Sequence, residues 1–278
     1  MPKAKKAYRL VVYQHRLDPH ILREILADAL DLHRTDAMRL VSHVPGVLPV
    51  PLTHAQTRRL GKLLASVGVE VGVWRADRLP NLSQPTLVHK LDCRPDGLES
   101  FGVRGEPLHW MPWDQLELIS VGEFPGKTKE LSLMGPTWLS ASVGAVRAMV
   151  MGYHRVGMRV QKIVPAAKPE LWIVRRRPTQ AIRVQQDAAN YEYLGERRAP
   201  SARANFRHLV EDLIRLAPLA TVTPATQSFL VYDRPGQHHF SSGQQFLDFT
   251  TWQLLVRWRD QRRGKPDAGD EASDVPQA

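Results

Sequence analysis

The sequence predicts an α+β protein. A small three-stranded sheet carrying three helices is followed by a strand-rich half-barrel closed by a C-terminal helix. Three observations lead there. Residues 8–75 alternate short apolar runs with amphipathic stretches in the order strand, helix, helix, strand, helix, strand. Residues 87–185 hold runs rich in β-branched and aromatic side chains, separated by turn signals. A stretch of helical period then follows Ser201.

YRLVVYQ is the first strand and DPHILREILADAL the first helix. Pro19 takes a first-turn position where no amide is missed, and Ile21, Leu22, Ile25, Leu26 and Ala29 form one stripe. TDAMRLVSHV is a second helix capped by Thr35, grouping Ala37, Met38, Val41 and Val44. A short strand lies around GVLPVPL. Thr53 caps THAQTRRLGKLLASVG, with Leu60, Leu63, Leu64 and Val67 as its core face and Arg59 toward solvent. Gly68 supplies the left-handed residue before the closing strand VEVGVW.

Residues 76–86, ADRLPNLSQPT, have prolines and no periodicity, which marks a linker between the 8–75 domain and a second domain over 87–218. LVHKLDC and GLESFG are strands joined through a turn at Asp96-Gly97. GEPLHWMPWDQLELISVGEF gives another strand pair, with Trp110 and Trp113 as packing residues. PELWIVRRRPTQAIRVQQ gives two more strands, broken at Arg177-Pro178. Tyr191 and Tyr193 alternate in a strand-like period. Ser201 caps ARANFRHLVEDLIRLA, whose buried face is Phe206, Leu209, Val210, Leu213 and Ile214. An insertion of small residues and methionines occupies 131–165. An extension over 219–262 carries a short strand at Phe229–Tyr232 and a helix from about Gln244, with Phe246, Phe249, Trp252, Leu254 and Val256 in an apolar band. Residues 263–278 form a disordered tail, poor in large apolar residues and rich in acids, Pro and Gly.

A chain of 278 residues with 43% hydrophobic content suits two domains and a tail. No run approaches the length of a transmembrane segment, and the opening lacks a secretory signal, so the expected location is cytoplasmic. Cys93 is the single cysteine, which leaves no internal disulfide and reads as a half-buried small apolar residue. The net charge of +10 is uneven: +6 over 1–80, −3 over 81–130, +9 over 131–210 and −2 over 211–278. Such a field favours nucleic acid, an anionic membrane or an acidic protein, although an arginine-rich composition alone produces the same excess.

The run AMRLVSHVPGVLPVPLTHAQTRRLGKLLASVGVEV resembles the C-terminal domain of the bacterial ribosomal stalk protein, whose fold the adaptor subunit of the Clp protease shares. Ala37 and Val41 in the second helix, Pro45 beyond it, and a helix ending in leucine, a small residue and Gly68 before a valine-rich strand carry the likeness. It covers about a quarter of the chain. The resemblance implies interaction work, since the stalk family meets translational GTPases and the adaptor family grips a substrate's amino group. Leu30, Leu32 and Met38 stand where the stalk family carries glycines and a lysine. Of the adaptor's acidic pair Asp18 remains, beside His15 and Arg16. Trp113-Asp114 followed by Leu116, Leu118 and Ile119 resembles bacterial pleckstrin-homology-like domains, which implies the half-barrel with its closing helix.

No catalytic constellation emerges. GEFPGKT misses the phosphate-binding loop because Val121 stands where its first glycine belongs. There is no H-E-x-x-H helix and no G-x-S-x-G elbow, and His238-His239 are neighbours that converge only in a loop. The expectation is therefore no enzyme, no cofactor and no metal. Arginine forks suit phosphates and carboxylates, so Arg175, Arg177, Arg203 and Arg207 form a candidate patch for an anionic partner if the last strand and the helix pack side by side. Arg176 is expected to point away from its neighbours. The expected function is non-catalytic protein–protein interaction or adaptor work. Nucleic-acid binding through the arginine patch and peripheral association with an anionic membrane are the alternatives.

Overall fold

The computed structural model describes residues 7–14, 16–125, 168–231 and 238–263. The insertion around 131–165, the tail beyond Arg263, His15 and the Gly126-Lys127 pair lie outside the described residues.

Along β1 (Tyr8–Gln14), Leu10 and Val12 face one way and Val11 and Tyr13 the other, and all four are buried. The first face carries the helices. α1 (Pro19–Leu30), α2 (Arg34–Val41), β2 (Gly46–Val47), α3 (His54–Ser66) and β3 (Glu70–Arg75) follow, and the antiparallel sheet has the order β2-β1-β3. The element order is the one the sequence predicts. Asp18 caps α1 by accepting from the His20 amide at 2.7 Å, with Pro19 at the first helical position. Thr53 and Gln56 close a reciprocal capping box on α3. Gly68 has φ +78°, the left-handed conformation that lets α3 stop and β3 begin. The cap of α2 is His33 rather than Thr35, because the helix begins at Arg34 and Thr35 lies inside its first turn.

Three side chains expected in the core are outside it: Ile21 is 52% exposed, Leu63 38% and Val67 40%. For Leu63 and Val67 the reason is the rotation of α3. Its buried face is Thr57, Leu60, Gly61 and Leu64, so two small residues lie against the sheet and Leu63 is turned to the flank. Arg59 is exposed, as expected.

The second unit comprises β4 (Thr86–Val88), β5 (Lys90–Cys93), β6 (Gly97–Phe101), β7 (Pro107–Pro112), β8 (Leu116–Phe124), β9 (Lys168–Arg175) and β10 (Gln180–Gln185). It continues with α4 (Ala202–Leu216), β11 (Thr221–Val222), α5 (Pro224–Val231) and α6 (Gly243–Arg263). One sheet has the order β11-β8-β9-β10-β4, and the meander β5-β6-β7 forms a second. Ile119, Val121, Leu171, Ile173, Ile182 and Val184 of the larger sheet meet Phe206, Leu209, Val210 and Leu213 of α4, and Leu91, Leu98 and Met111 of the meander. The turn over residues 94–96 before Gly97 and the break before Pro178 fall between strands, as predicted. Of the strand expected at Phe229–Tyr232, residues 229–231 are instead the end of α5, and Tyr232 lies outside the described residues. Tyr191 and Tyr193 lie at a 3-10 turn rather than a strand, with Tyr191 buried.

The opposite face of the larger sheet and the helix-free face of the first sheet share one partner, α6. Leu118, Trp172, Val174 and Ala181 pack on Phe246 and Leu254, while Val11 and Tyr13 pack on Leu255. The Trp252 indole donates to the Val12 carbonyl at 3.1 Å, and the Trp74 and Trp258 rings lie 6.0 Å apart. Arg259 pairs with Glu70 at 2.9 Å and stacks 4.6 Å from the Tyr13 ring. On the other side Glu117, almost fully buried, accepts from Gln261 at 2.9 Å and pairs with Arg176 and Arg257. A register shift between Leu116 and Leu118 turns both Glu117 and Leu118 toward α6. The stretch 76–86 follows the same seam, with Leu79 packed in the contact with the first sheet and Leu82 buried in the contact with the larger sheet. Among the described residues, no helix is long and apolar enough to cross a membrane.

Candidate functional site

The four candidate arginines lie at two ends of one strand pair. In β8 and β9, Leu116 is opposite Arg175 and Phe124 is opposite Lys168. At about 3.3 Å per residue the seven steps from Lys168 to Arg175 put the two ends about 23 Å apart. Arg175 and Arg177 are at the Leu116 end. Arg175 is half-buried, its Nε without a hydrogen-bond partner among the described residues, and Arg177 is exposed in the turn to β10. Arg176 points to the α6 face and to Glu117. Arg203 is at the Glu123 end, its Nη1 2.8 Å from Glu123 Oε1 and its guanidinium 5.3 Å from the Phe229 ring. Arg207 pairs with Glu211 at 3.1 Å and donates to the Leu230 carbonyl. The first turns of α4 therefore sit over the far end of the strand pair from the β9–β10 turn, and the four do not form one patch. The charge of Arg203 and Arg207 is also answered within the chain, as it is for Arg197 and Arg215, which hold Asp212 at 2.7 and 2.9 Å.

Arg203 leads to a cluster the sequence does not announce. The Glu123 amide donates to the His238 carbonyl at 2.6 Å, and the Phe240 amide donates to the Glu123 carbonyl at 2.8 Å. This short bridge brings the 238–240 segment alongside the end of β8 and places both imidazoles beside Glu123, their ring centroids 4.4 Å apart. His239 Nε2 is 3.2 Å from Glu123 Oε2. His238 is fully buried, its Nδ1 3.0 Å from Ser228 Oγ, and its Nε2 has no hydrogen-bond partner among the described residues. Burial pushes the His238 imidazole below its ordinary value, with the neighbouring His239 adding to the effect, so the neutral ring is favoured. The His-His pair was the one sequence signal available, and its partners Glu123 and Ser228 are remote in the chain.

A second surface lies on the helical layer of the first unit. Gln14 pairs with Glu70 across β1 and β3, which puts the first turn of α1 and the last turn of α3 at one end of the sheet. Ile21, Leu63 and Val67 are thus exposed apolar side chains at that end, with Arg16 and Asp18 exposed in the approach to α1. Cys93 adds no chemistry, since burial raises its thiol to about 12, far from a reactive thiolate.

No family model, no curated protein and no solved structure matches this chain.

Proposed function

We propose that the protein is a non-catalytic interaction or adaptor protein whose first unit presents its helical layer to a protein partner. The observation that carries this reading is the exposure of Ile21, Leu63 and Val67 together at one end of α1 and α3. Single exposed apolar residues are ordinary, but a group at one end of a helical layer is the kind of surface that a partner covers. The other face of that unit's sheet is already occupied by α6, which leaves the helices as its outward surface. The resemblance of this unit to the ribosomal stalk domain and the Clp adaptor supports the same reading. The second unit, as a pleckstrin-homology-like half-barrel closed by α4, then acts as the base, and the working compartment is the cytoplasm. Binding of nucleic acid or an anionic membrane through Arg175, Arg177, Arg203 and Arg207 loses its common surface, since the four are divided between two ends of β8–β9.

Affinity capture with the full chain, with and without nuclease and at two salt concentrations, tests the proposal. A protein that survives nuclease with the parent chain, and is lost with Ile21→Asp combined with Leu63→Asp, is the expected result. Loss of all captured material on nuclease treatment would move the assignment to nucleic acid. Retention of the partner by the double variant would place the interface elsewhere.

A further inference from the structure

We propose that Glu123, His238 and His239 form a binding site for one divalent metal of the zinc class. The carboxylate and the two imidazoles each offer a ligand atom, and these atoms all lie within 4.8 Å of one another. Two histidines and one acid are a donor set suited to Zn2+, Co2+ or Ni2+ rather than to Mg2+ or Ca2+, which favour all-oxygen shells. With metal–ligand bonds of about 2.0–2.2 Å, tetrahedral geometry puts neighbouring ligand atoms about 3.3–3.5 Å apart. His239 Nε2 and Glu123 Oε2 are already at 3.2 Å. Ligand atoms up to 4.8 Å apart need to close by about 1–1.5 Å at most, which small ring movements supply.

Three independent details prepare these atoms as ligands. First, His238 Nδ1 is engaged by Ser228 Oγ at 3.0 Å, and a proton on Nδ1 donated to that oxygen leaves the lone pair on Nε2. Second, that Nε2 is inside a fully buried residue and has no hydrogen-bond partner among the described residues. A buried polar atom left unpaired is costly, and a metal bond is one way to satisfy it. Third, Arg203 holds Glu123 Oε1 at 2.8 Å, which fixes the carboxylate plane and leaves Oε2 for the ion. The guanidinium also cancels the carboxylate's charge, so affinity must come from the nitrogen ligands, a further reason to expect the zinc class. Three protein ligands leave a fourth position for solvent. A metal here would pin the segment before α6 to the end of β8, the strand at the centre of both contacts of the larger sheet. The site is separate from the surface at Ile21, Leu63 and Val67, and its test is independent of the adaptor reading.

The experiment is a titration of the chelator-stripped full chain with Zn2+ by calorimetry, with Co2+ as a spectroscopic probe. One Zn2+ per chain and a Co2+ absorption spectrum of four-coordinate intensity are expected, together with a higher melting temperature at saturating Zn2+. Ser228→Ala should weaken binding by about 10-fold, the effect of losing a group that orients a ligand, and His239→Ala by at least about 100-fold. His239 is an exposed residue, so its removal leaves the fold intact, and the melting temperature of the metal-free variant checks this. Glu123→Gln should reduce binding as His239→Ala does. The proposal is overturned if micromolar Zn2+ binds without fixed stoichiometry. It is equally overturned if stoichiometric binding is unchanged in His239→Ala, which would put the metal on others of the 11 histidines.

Discussion

Leu63 and Leu64 are neighbours with opposite environments: Leu64 is fully buried and Leu63 is 38% exposed. Leu64→Ala should cost about 2–5 kcal/mol, the range for a buried side chain that leaves a cavity, and Leu63→Ala about 1 kcal/mol or less. Urea denaturation of the two variants checks the rotation of α3. The apolar stripe was legible in the sequence, but its centre was not, because Thr57 and Gly61 carry no hydrophobic signal and yet occupy the buried face. The same scale governs the response to acid. Burial pushes Asp212 upward, but the bonds from Arg197 and Arg215 outweigh it and hold its carboxyl below the ordinary 3.8. A folded pKa below the unfolded one gives stability that is present above about pH 4 and is lost as pH falls through the folded value. Asp212→Asn should therefore flatten the acid limb of a stability–pH curve while lowering stability at neutral pH. His238 has the same sign by a different route. Its ring is held neutral, so the unfolded chain takes up the proton first and stability declines as pH drops through about 6.5.

At the scale of elements, most of the fold was legible because its punctuation is local. Capping at Thr53, the left-handed Gly68 and the turn before Gly97 each act within a few residues. The segment ending at Val231 was misread because FLVY has strand composition. Its actual signal lies upstream, where Thr223 precedes Pro224 and caps α5 by accepting from the Thr226 amide at 3.3 Å. Thr226 then donates to the Ile119 carbonyl at 3.1 Å and accepts from the Val121 amide at 2.9 Å, which ties the helix to β8. The candidate site was legible only in part. Arginine clustering was visible in the sequence, but the acids that answer it, Glu117, Glu123 and Asp212, are set by strand register and helix placement. β8 also contains a close approach that a single methyl group tests. A Cβ on Gly122 would lie 2.5 Å from the Phe246 ring, which is itself enclosed by Phe124, Trp172 and Phe240. Gly122→Ala should destabilise by about 1–3 kcal/mol through overpacking, and Phe246→Leu in the same chain should recover part of that loss. A double-mutant cycle in denaturant measures the coupling.

At the scale of the whole molecule, α6 is the element that makes two locally encoded units into one body. The apolar band over Phe246–Val256 was legible in the sequence but its two partners were not, and a helix that is apolar on opposite sides belongs between two layers. Phe246 and Leu254 pack on the larger sheet, and Leu255 packs on Val11 and Tyr13 of the smaller one. The pairing of a helix with residues some 240 positions earlier, as in Trp252 with Val12, leaves no local trace. Rigid attachment through α6 is also what would let the first unit present Ile21, Leu63 and Val67 in a fixed direction. Leu255 separates the two contacts, because it belongs to the first-unit side alone. The most direct measurement is calorimetric unfolding of the full chain beside Leu255→Asp. One cooperative transition is expected for the parent chain. In the variant the transition should split, with the first unit melting earlier and the second unit retaining its packing on Phe246 and Leu254. Two independent transitions in the parent chain, or an unchanged single transition in Leu255→Asp, would contradict the central role of α6.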